Sequence, residues 1–297
     1  MPDFDVLCVG ATSYDLVFRV DHHPGADEKA VAESFVRCGG GPAANAAIMV
    51  ARMGLRSAFA GYLGADLFGG LHLQELKSAG VDTRLVVRGE HPTPISSVWV
   101  KPSGEKSLVN FRSAESVLSP GAVDFTDIRP RVILFDGHEP ELSVSLLDHA
   151  RVLGIKTVLD AGSWNRGTSR LFDKVDYLVC SETFARQFAG TSSPRLAMEE
   201  LIRRNGSVVI TLGREGLIWR NPDGAGSLPA FPVTAEDTTG AGDVFHGAFA
   251  GSIAVGREWG EALRYASAAA ALSCTRLGAR IGIPEGAEVE RFLHDLN

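Results

Sequence analysis

The chain has 297 residues, 45% apolar and 22% charged, with 29 basic against 36 acidic side chains for a formal charge of −7. That length allows one large α/β domain or two smaller ones, and the composition is that of a globular chain rather than a disordered or fibrous one. The acidic balance without a Lys/Arg cluster argues against a nucleic-acid partner, no apolar run reaches membrane-spanning length, and Met1-Pro2-Asp3-Phe4-Asp5 carries no basic leader, so a cytoplasmic protein with no membrane partner is expected.

Residues 4–9 are a short apolar run ending at Gly10, which suits a buried parallel strand, and residues 16–20 look like a second strand. Asp15 falls close after the first strand's carboxyl end, where open α/β sheets keep their ligand crevice. A carboxylate there suits a pair of sugar hydroxyls; the plain alternative is a turn aspartate. Residues 30–36 read as another strand leading into Cys38-Gly39-Gly40-Gly41-Pro42-Ala43-Ala44-Asn45. Glycines permit a backbone to approach a ligand, Pro42 suits a helix start, and Gly54 stops the Ala-rich run. Asn45, on that helix's first turn, can both donate to and accept from a hydroxyl.

Residues 57–63 form a strand followed by a helix to Ser78. The glycines between them, Gly61, Gly64 and Gly69, lack the spacing of a dinucleotide fingerprint and are read as structural. Residues 95–100 and 107–111, joined by Lys101-Pro102-Ser103-Gly104-Glu105-Lys106, form a hairpin. With 16–20 and 30–36 it would make a small separate sheet. Asn110 and Arg112 close that hairpin and could reach an anionic group, or be merely solvated.

From residue 132 onward strands (132–135, 156–160, 175–180, 207–211) alternate with helices (139–153, 183–188, 194–204), the pattern of a doubly wound parallel sheet. His138 follows a strand end. Thr211-Leu212-Gly213-Arg214-Glu215-Gly216 is a strand end turning into residues 217–220. The most telling stretch is Asp237-Thr238-Thr239-Gly240-Ala241-Gly242-Asp243-Val244-Phe245-His246-Gly247-Ala248, a loop that becomes a buried helix. Small residues at a helix start let an anion meet unpaired N–H groups and the positive end of the dipole. Asp243 beside such a hole would repel a phosphate unless it had a proton to take from an attacking hydroxyl. The bland alternative is a Gly-rich cap with a first-turn acid. The four cysteines, Cys8, Cys38, Cys180 and Cys274, are scattered without metal-ligand spacing and read as small buried hydrophobes.

The 237–248 run resembles the second signature of the ribokinase-like (PfkB) carbohydrate kinases, and Gly39-Gly40-Gly41-Pro42-Ala43-Ala44-Asn45 the first; the resemblance covers the full chain. It implies a three-layer, doubly wound, mostly parallel α/β sheet as a single kinase domain over 1–297. A small β-sheet lid would come from about 15–37 and 94–112 and would pair between subunits of a homodimer. It implies an ATP-dependent sugar kinase with Asp243 as catalytic base and Gly240, Ala241 and Gly242 holding the transferring phosphoryl group. Asp15, Lys29, Gly40, Gly41, Asn45, Asn110 and His138 would bind sugar, and Thr211, Gly213, Arg214, Gly216 and Ser267 would bind ATP. A monovalent cation, K⁺, would sit by Asp237, Thr239 and the carbonyls of Ser273, Arg276 and Gly278.

Family members commonly carry Asn-x-x-Glu to organise Mg²⁺, where this chain reads Ser181-Glu182-Thr183-Phe184. Glu182 could substitute through water. The motifs look most like those of sulfofructose, ketohexose and ribose kinases. However, His138 stands where sulfofructose kinases carry an Arg, and losing a guanidinium removes a planar anion clamp. A neutral ketose or pentose is therefore expected over a sulfonated one, with Lys29 and Arg112 keeping an anionic substrate open. Two rivals remain: a nucleoside kinase with Phe18, Trp99 and Phe111 as a base slot, and a catalytically silent sugar or nucleotide binder, against which the intact Gly-Ala-Gly-Asp argues.

Overall fold

A computed structural model of the chain describes residues 2–296. In order, its elements are β1 (Val6–Val9), β2 (Ser13–Arg19), β3 (Ser34–Gly40), α1 (Pro42–Arg52), β4 (Ser57–Gly64), α2 (Leu67–Ser78), β5 (Val86–Gly89), β6 (Ile95–Val100) and β7 (Lys106–Phe111). There follow β8 (Val132–Phe135), α3 (Pro140–Leu153), β9 (Lys156–Ala161), α4 (Thr168–Leu171), β10 (Tyr177–Ser181), α5 (Glu182–Ala189), α6 (Pro194–Ile202), β11 (Val208–Thr211), β12 (Leu217–Asn221), β13 (Gly224–Leu228), α7 (Ala241–Ala254), α8 (Trp259–Ser273) and α9 (Gly286–Asp295).

The main sheet has nine strands in the order β13-β12-β11-β10-β9-β8-β1-β4-β5, parallel from β11 to β5 with β12 and β13 antiparallel at one edge. Its central strands are buried on both faces, which is why they read as unbroken apolar runs. Strand alternation divides their side chains between two cores. Val6, Cys8, Leu134 and Val179 pack against α1, α7 and α8. Leu7, Val9, Ile133 and Leu178 pack against α3, α5 and α6. Helices on both faces of a mostly parallel sheet make the three layers that the alternating pattern predicts. No helix among the described residues is long and apolar enough to cross a membrane.

A second sheet, ordered β3-β2-β6-β7, stands apart from the first. Its β3 runs Ser34–Gly40 rather than over 30–36, so Gly39 and Gly40 lie in a strand and not in a loop: they pair with Tyr14 and Ser13. Four elements escaped the sequence reading, among them the four-residue α4. β5 is short and half-exposed, β13 (Gly-Ala-Gly-Ser-Leu) is an edge strand defined only by its ladder to β12, and α9 begins beyond Pro284 with a Glu285/Glu288 capping box.

Candidate active site

The order in which the chain adds strands reverses at β1, which lies between β8 and β4, and open α/β sheets keep their crevice at such a point. At the end of β8 the buried Asp136 carboxylate accepts the N–H groups of Ala11 (2.8 Å), Ala43 (3.2 Å) and His138 (2.8 Å). One side chain thus ties the β1–β2 link, the start of α1 and the turn after β8 together. Asp136 is absent from the sequence-level candidates; its position directly after the apolar run Val132-Ile133-Leu134-Phe135 was the available signal.

The glycine run owes its composition to three different neighbours. A Cβ on Gly39 would lie 2.3 Å from Arg280 Nη1, and one on Gly40 would lie 2.2 Å from Asp15 Oδ2. Gly41, at φ 98°, precedes α1 with its Cβ direction blocked by Ala11 O at 2.4 Å. Asp15 is buried on β2, takes the Ser13 hydroxyl at 2.6 Å, and is raised by burial while bonds from Ser13 and Ser96 pull it back down. Register places Asp15, Ser96 and Asn110 side by side across β2, β6 and β7, so Ser96 is a further polar group of this row that sequence reasoning missed. Alternation puts Phe18, Trp99 and Phe111 on the opposite face of the small sheet, away from Asp15.

The α7 end of the crevice is built by backbone. Gly240 is left-handed (φ 79°), and a Cβ there would meet Ala279 Cβ at 2.8 Å. The Ala241 N–H makes only a long 3.4 Å bond to Thr238 O, and α7 has no side-chain cap. The first-turn amides are therefore available to an anion. A Cβ on Gly242 would meet nothing within 4 Å, so its face is open. Close approach of α1 and α7, where a Cβ on Gly247 would lie 2.5 Å from Ala46 O, brings Asn45 beside Asp243.

Asn45 Nδ2 donates to Asp243 Oδ2 at 2.8 Å. Burial pushes the Asp243 carboxyl up to about 7, with the Asp160 charge adding to the rise and the Asn45 bond opposing it. Asp160, at the end of β9, is itself pushed up to about 8 by burial and Asp136. His246 Nδ1 lies 2.6 Å from Gly242 O and 3.3 Å from Asp160 Oδ2, while Nε2 lies 3.1 Å from Val179 O. Burial lowers that imidazole's pKa, and its bonds to the two carbonyls oppose the fall.

A cavity of about 570 Å³ runs from this helix start, lined by Ala241 and Gly242, to Thr211, Gly213, Arg214, Gly216 and Ser267. All five nucleotide candidates therefore face one space with two of the anion-hole residues. Its remaining wall is largely apolar, including Leu217, Phe231, Phe245 and Ala270, as a flat aromatic base requires. Asp237 is buried: Oδ1 accepts Thr239 N–H (2.8 Å) and Oδ2 accepts Gly278 N–H (2.9 Å), stapling this loop to the one after α8. The Arg276 side chain turns away to Glu288, leaving only its carbonyl for a cation. Lys106 Nζ on β7 donates to Thr239 Oγ1 at 3.2 Å, so the small sheet touches the same loop.

Other candidates stand elsewhere. Lys29 is exposed in the irregular link between β2 and β3. Arg112 is committed to Glu139 Oε1 and His138 O, so it is not a free anion clamp. The His138 side chain is exposed, and its charge would act on Asp160. Ser181 caps α5 by accepting from Phe184 N–H and donates to Gly162 O, so both roles of its hydroxyl are used. Phe184 is fully buried among Trp164, Phe172 and Phe188. Glu182, exposed in the first turn of α5, is the one acid that the Ser181-Glu182-Thr183-Phe184 motif presents to solvent.

The pfkB family carbohydrate kinase description matches residues 3–286. The chain is 31% identical over 294 residues to ribokinase of Bacillus subtilis, spanning 97% of this chain and 99% of that one. It is 30% identical over 300 residues to an ATP-dependent ribose-1-phosphate kinase of Halopiger xanaduensis, spanning 98% of each. The solved ribokinase of Thermotoga maritima superposes with a TM-score of 0.86 at 29% identity, over 97% of this chain and 99% of that one. These relatives are named for ribose and ribose 1-phosphate, and they give the likeness to sulfofructose kinases no support.

Proposed function

The chain belongs to the pfkB family of carbohydrate kinases, which are phosphotransferases with an alcohol acceptor, and from that premise we propose that it moves the γ-phosphoryl group of ATP onto a hydroxyl of a small neutral ketose or pentose, with Asp243 as base. The observation that carries this reading is the Asn45-held carboxylate beside uncapped α7 amides, at one end of a nucleotide-sized cavity.

In this mechanism Asp15, Ser96, Asn110 and Asn45 orient the sugar, with the Gly40 and Gly41 backbone, Lys29 and His138 at its margins. Asp243 takes the hydroxyl proton as the sugar oxygen bonds to phosphorus and ADP leaves. The amides of Gly240, Ala241 and Gly242 hold the charge on the transferring group. A base near neutrality is matched to that task, since it is ionised at working pH yet still basic. Thr211, Gly213, Arg214, Gly216 and Ser267 hold ATP, and Glu182 would hold its Mg²⁺ through water, the ion supplying charge neutralisation of the phosphates. A monovalent cation such as K⁺ would be held beside Asp237 and Thr239 by the carbonyls of Ser273, Arg276 and Gly278, and would fix the loop that carries the anion hole.

The whole chain acts as one kinase domain, with the small sheet as a lid over the sugar. Phe35, Val109 and Phe111 are exposed on the sheet face opposite Asp15, which supports pairing with a second copy into a homodimer. The same arrangement disfavours a nucleoside acceptor, because the aromatic trio offered for a base lies on that far face. The test is a coupled ADP-release assay with Mg-ATP over fructose, ribose, ribose 1-phosphate, 2-keto-3-deoxygluconate and adenosine, with and without K⁺. Turnover of a free sugar supports the reading, and turnover of adenosine alone, or of nothing despite ATP binding, overturns it.

A further inference from the structure

Arg280 lies in the loop between α8 and α9 and is only 6% exposed, so its charge must be met within the protein. Its guanidinium reaches three side chains. Nε and Nη2 donate to Asn45 Oδ1 at 3.3 and 3.1 Å, Nη2 lies 3.0 Å from His72 Nε2, and Nη1 lies 3.3 Å from Glu75 Oε2. Glu75 Oε2 also accepts the Gly39 N–H at 2.7 Å. The missing Cβ of Gly39 makes room for this cluster, since a Cβ there would lie 2.4 Å from His72 Cδ2.

A guanidinium donates and never accepts. His72 must therefore present a lone pair at Nε2 and be neutral, in keeping with the depression of its pKa by burial and by Arg280. By the same logic only the oxygen of the Asn45 amide can face Arg280, which leaves its nitrogen to face Asp243. We propose that Arg280 is a positioning residue for the base: its fork fixes the Asn45 amide so that Nδ2 faces Asp243 before and after the proton is taken. Without the fork, a protonated Asp243 could donate to a turned-over Asn45 oxygen. That bond would stabilise the protonated acid, raise its pKa and leave less of the carboxylate ionised at working pH. This inference rests on the reading of Asp243 as base.

The other groups facing Asp243 are Asp160 from β9, Asp136 from β8 and His246 from α7. Those facing Arg280 are Glu75 on α2, Asp15 on β2 and Cys38 on β3. None of them replaces the fork on Asn45. The test is the pH profile of kcat/KM for the wild type, Arg280→Met, Arg280→Lys, Asn45→Ala and Asn45→Ala/Arg280→Met. Arg280→Met is expected to move the acid limb upward by about half a pH unit or more, with activity recovering at high pH. Arg280→Lys, which keeps the charge but not the fork, shifts it as well, and the double variant shifts no further than Asn45→Ala alone. An unmoved limb in Arg280→Met, a wild-type limb in Arg280→Lys, or an equal shift when Asn45 is already absent overturns the proposal. Should Arg280→Met fail to fold, Arg280→Met/Glu75→Gln removes charge and counter-charge together and is read in the same way. Asp243→Asn separates the two claims. Near-normal turnover there ends the base reading itself, whereas a dead Asp243→Asn with an unmoved Arg280→Met limb ends only the role of Arg280.

Discussion

Asn45 Nδ2 donates to Asp243 Oδ2 across 2.8 Å, joining the first turn of α1 to the first turn of α7 over 198 residues of sequence. Two helix starts therefore share one hydrogen bond in the crevice beside β1. Asp243→Asn keeps the shape of that contact and removes the ability to take a proton. The expected result is a kcat lower by at least about two orders of magnitude, with the apparent affinity for sugar roughly kept. Steady-state kinetics on the accepted sugar checks it.

The acid limb of kcat/KM follows from the same pair. A base works only when ionised, so activity should rise with pH up to about 7, the value to which burial pushes Asp243, and flatten above it. Asn45→Leu removes the hydrogen bond that holds that carboxyl down, so its limb should lie higher than the wild type's. A limb that moves to lower pH in Asn45→Leu contradicts the assignment.

Two glycines of α7 should separate packing from chemistry. A methyl on Gly247 would press on the backbone of Ala46 at 2.5 Å. Gly247→Ala should thus lower the melting temperature and, by prising α1 from α7, lower kcat too. A methyl on Gly242 meets nothing within 4 Å. Gly242→Ala should melt no lower than the wild type, because alanine favours a helix by up to about 1 kcal/mol, yet crowd the phosphoryl site and lose turnover. Melting curves with kinetics on both variants check the contrast.

The central strands of the main sheet were legible because they are continuous apolar runs, such as Val132-Ile133-Leu134-Phe135, and the α7 start because Gly240-Ala241-Gly242-Asp243 is locally unusual. What stayed hidden depends on register or distant neighbours. Nothing local says that Gly39 and Gly40 sit in a strand, since that follows from pairing with β2. Ser96 joins Asp15 only through the β2–β6 register, and Arg280 meets Asn45 only through a loop closing over 235 residues. Phe184 looked like a lost metal acid; three-dimensional packing makes it part of an aromatic cluster.

Restoring the family's acid at that position should therefore fail. Phe184 is fully buried, with its ring 5.5 Å from Trp164 and 6.4 Å from Phe172. Phe184→Glu removes core volume, worth about 3–5 kcal/mol, and buries a carboxylate with no partner. The expected outcome is insoluble protein or a melting temperature lower by roughly 10 °C, with the Mg²⁺ dependence of any soluble fraction unimproved. Thermal melting and a Mg²⁺ titration of activity check it.

Asp160 gives a stability prediction with a definite sign. Its carboxyl is pushed up to about 8 by burial, from an ordinary value of 3.8. Between those pH values the folded chain holds a proton that the unfolded chain has lost, so stability falls as pH rises through the window. Asp160→Asn never ionises. It should raise the melting temperature by a few degrees near pH 8, and the gain should shrink steadily toward pH 4. Scanning fluorimetry across pH 5–9 on both proteins measures the difference. The opposite sign has a specific meaning: with both ring nitrogens of His246 facing carbonyls, at 2.6 Å from Gly242 O and 3.1 Å from Val179 O, a doubly protonated ring would make Asp160 its counter-ion. Asparagine would then destabilise the protein at pH 8, and the buried neutral acid would be the wrong account of this pair.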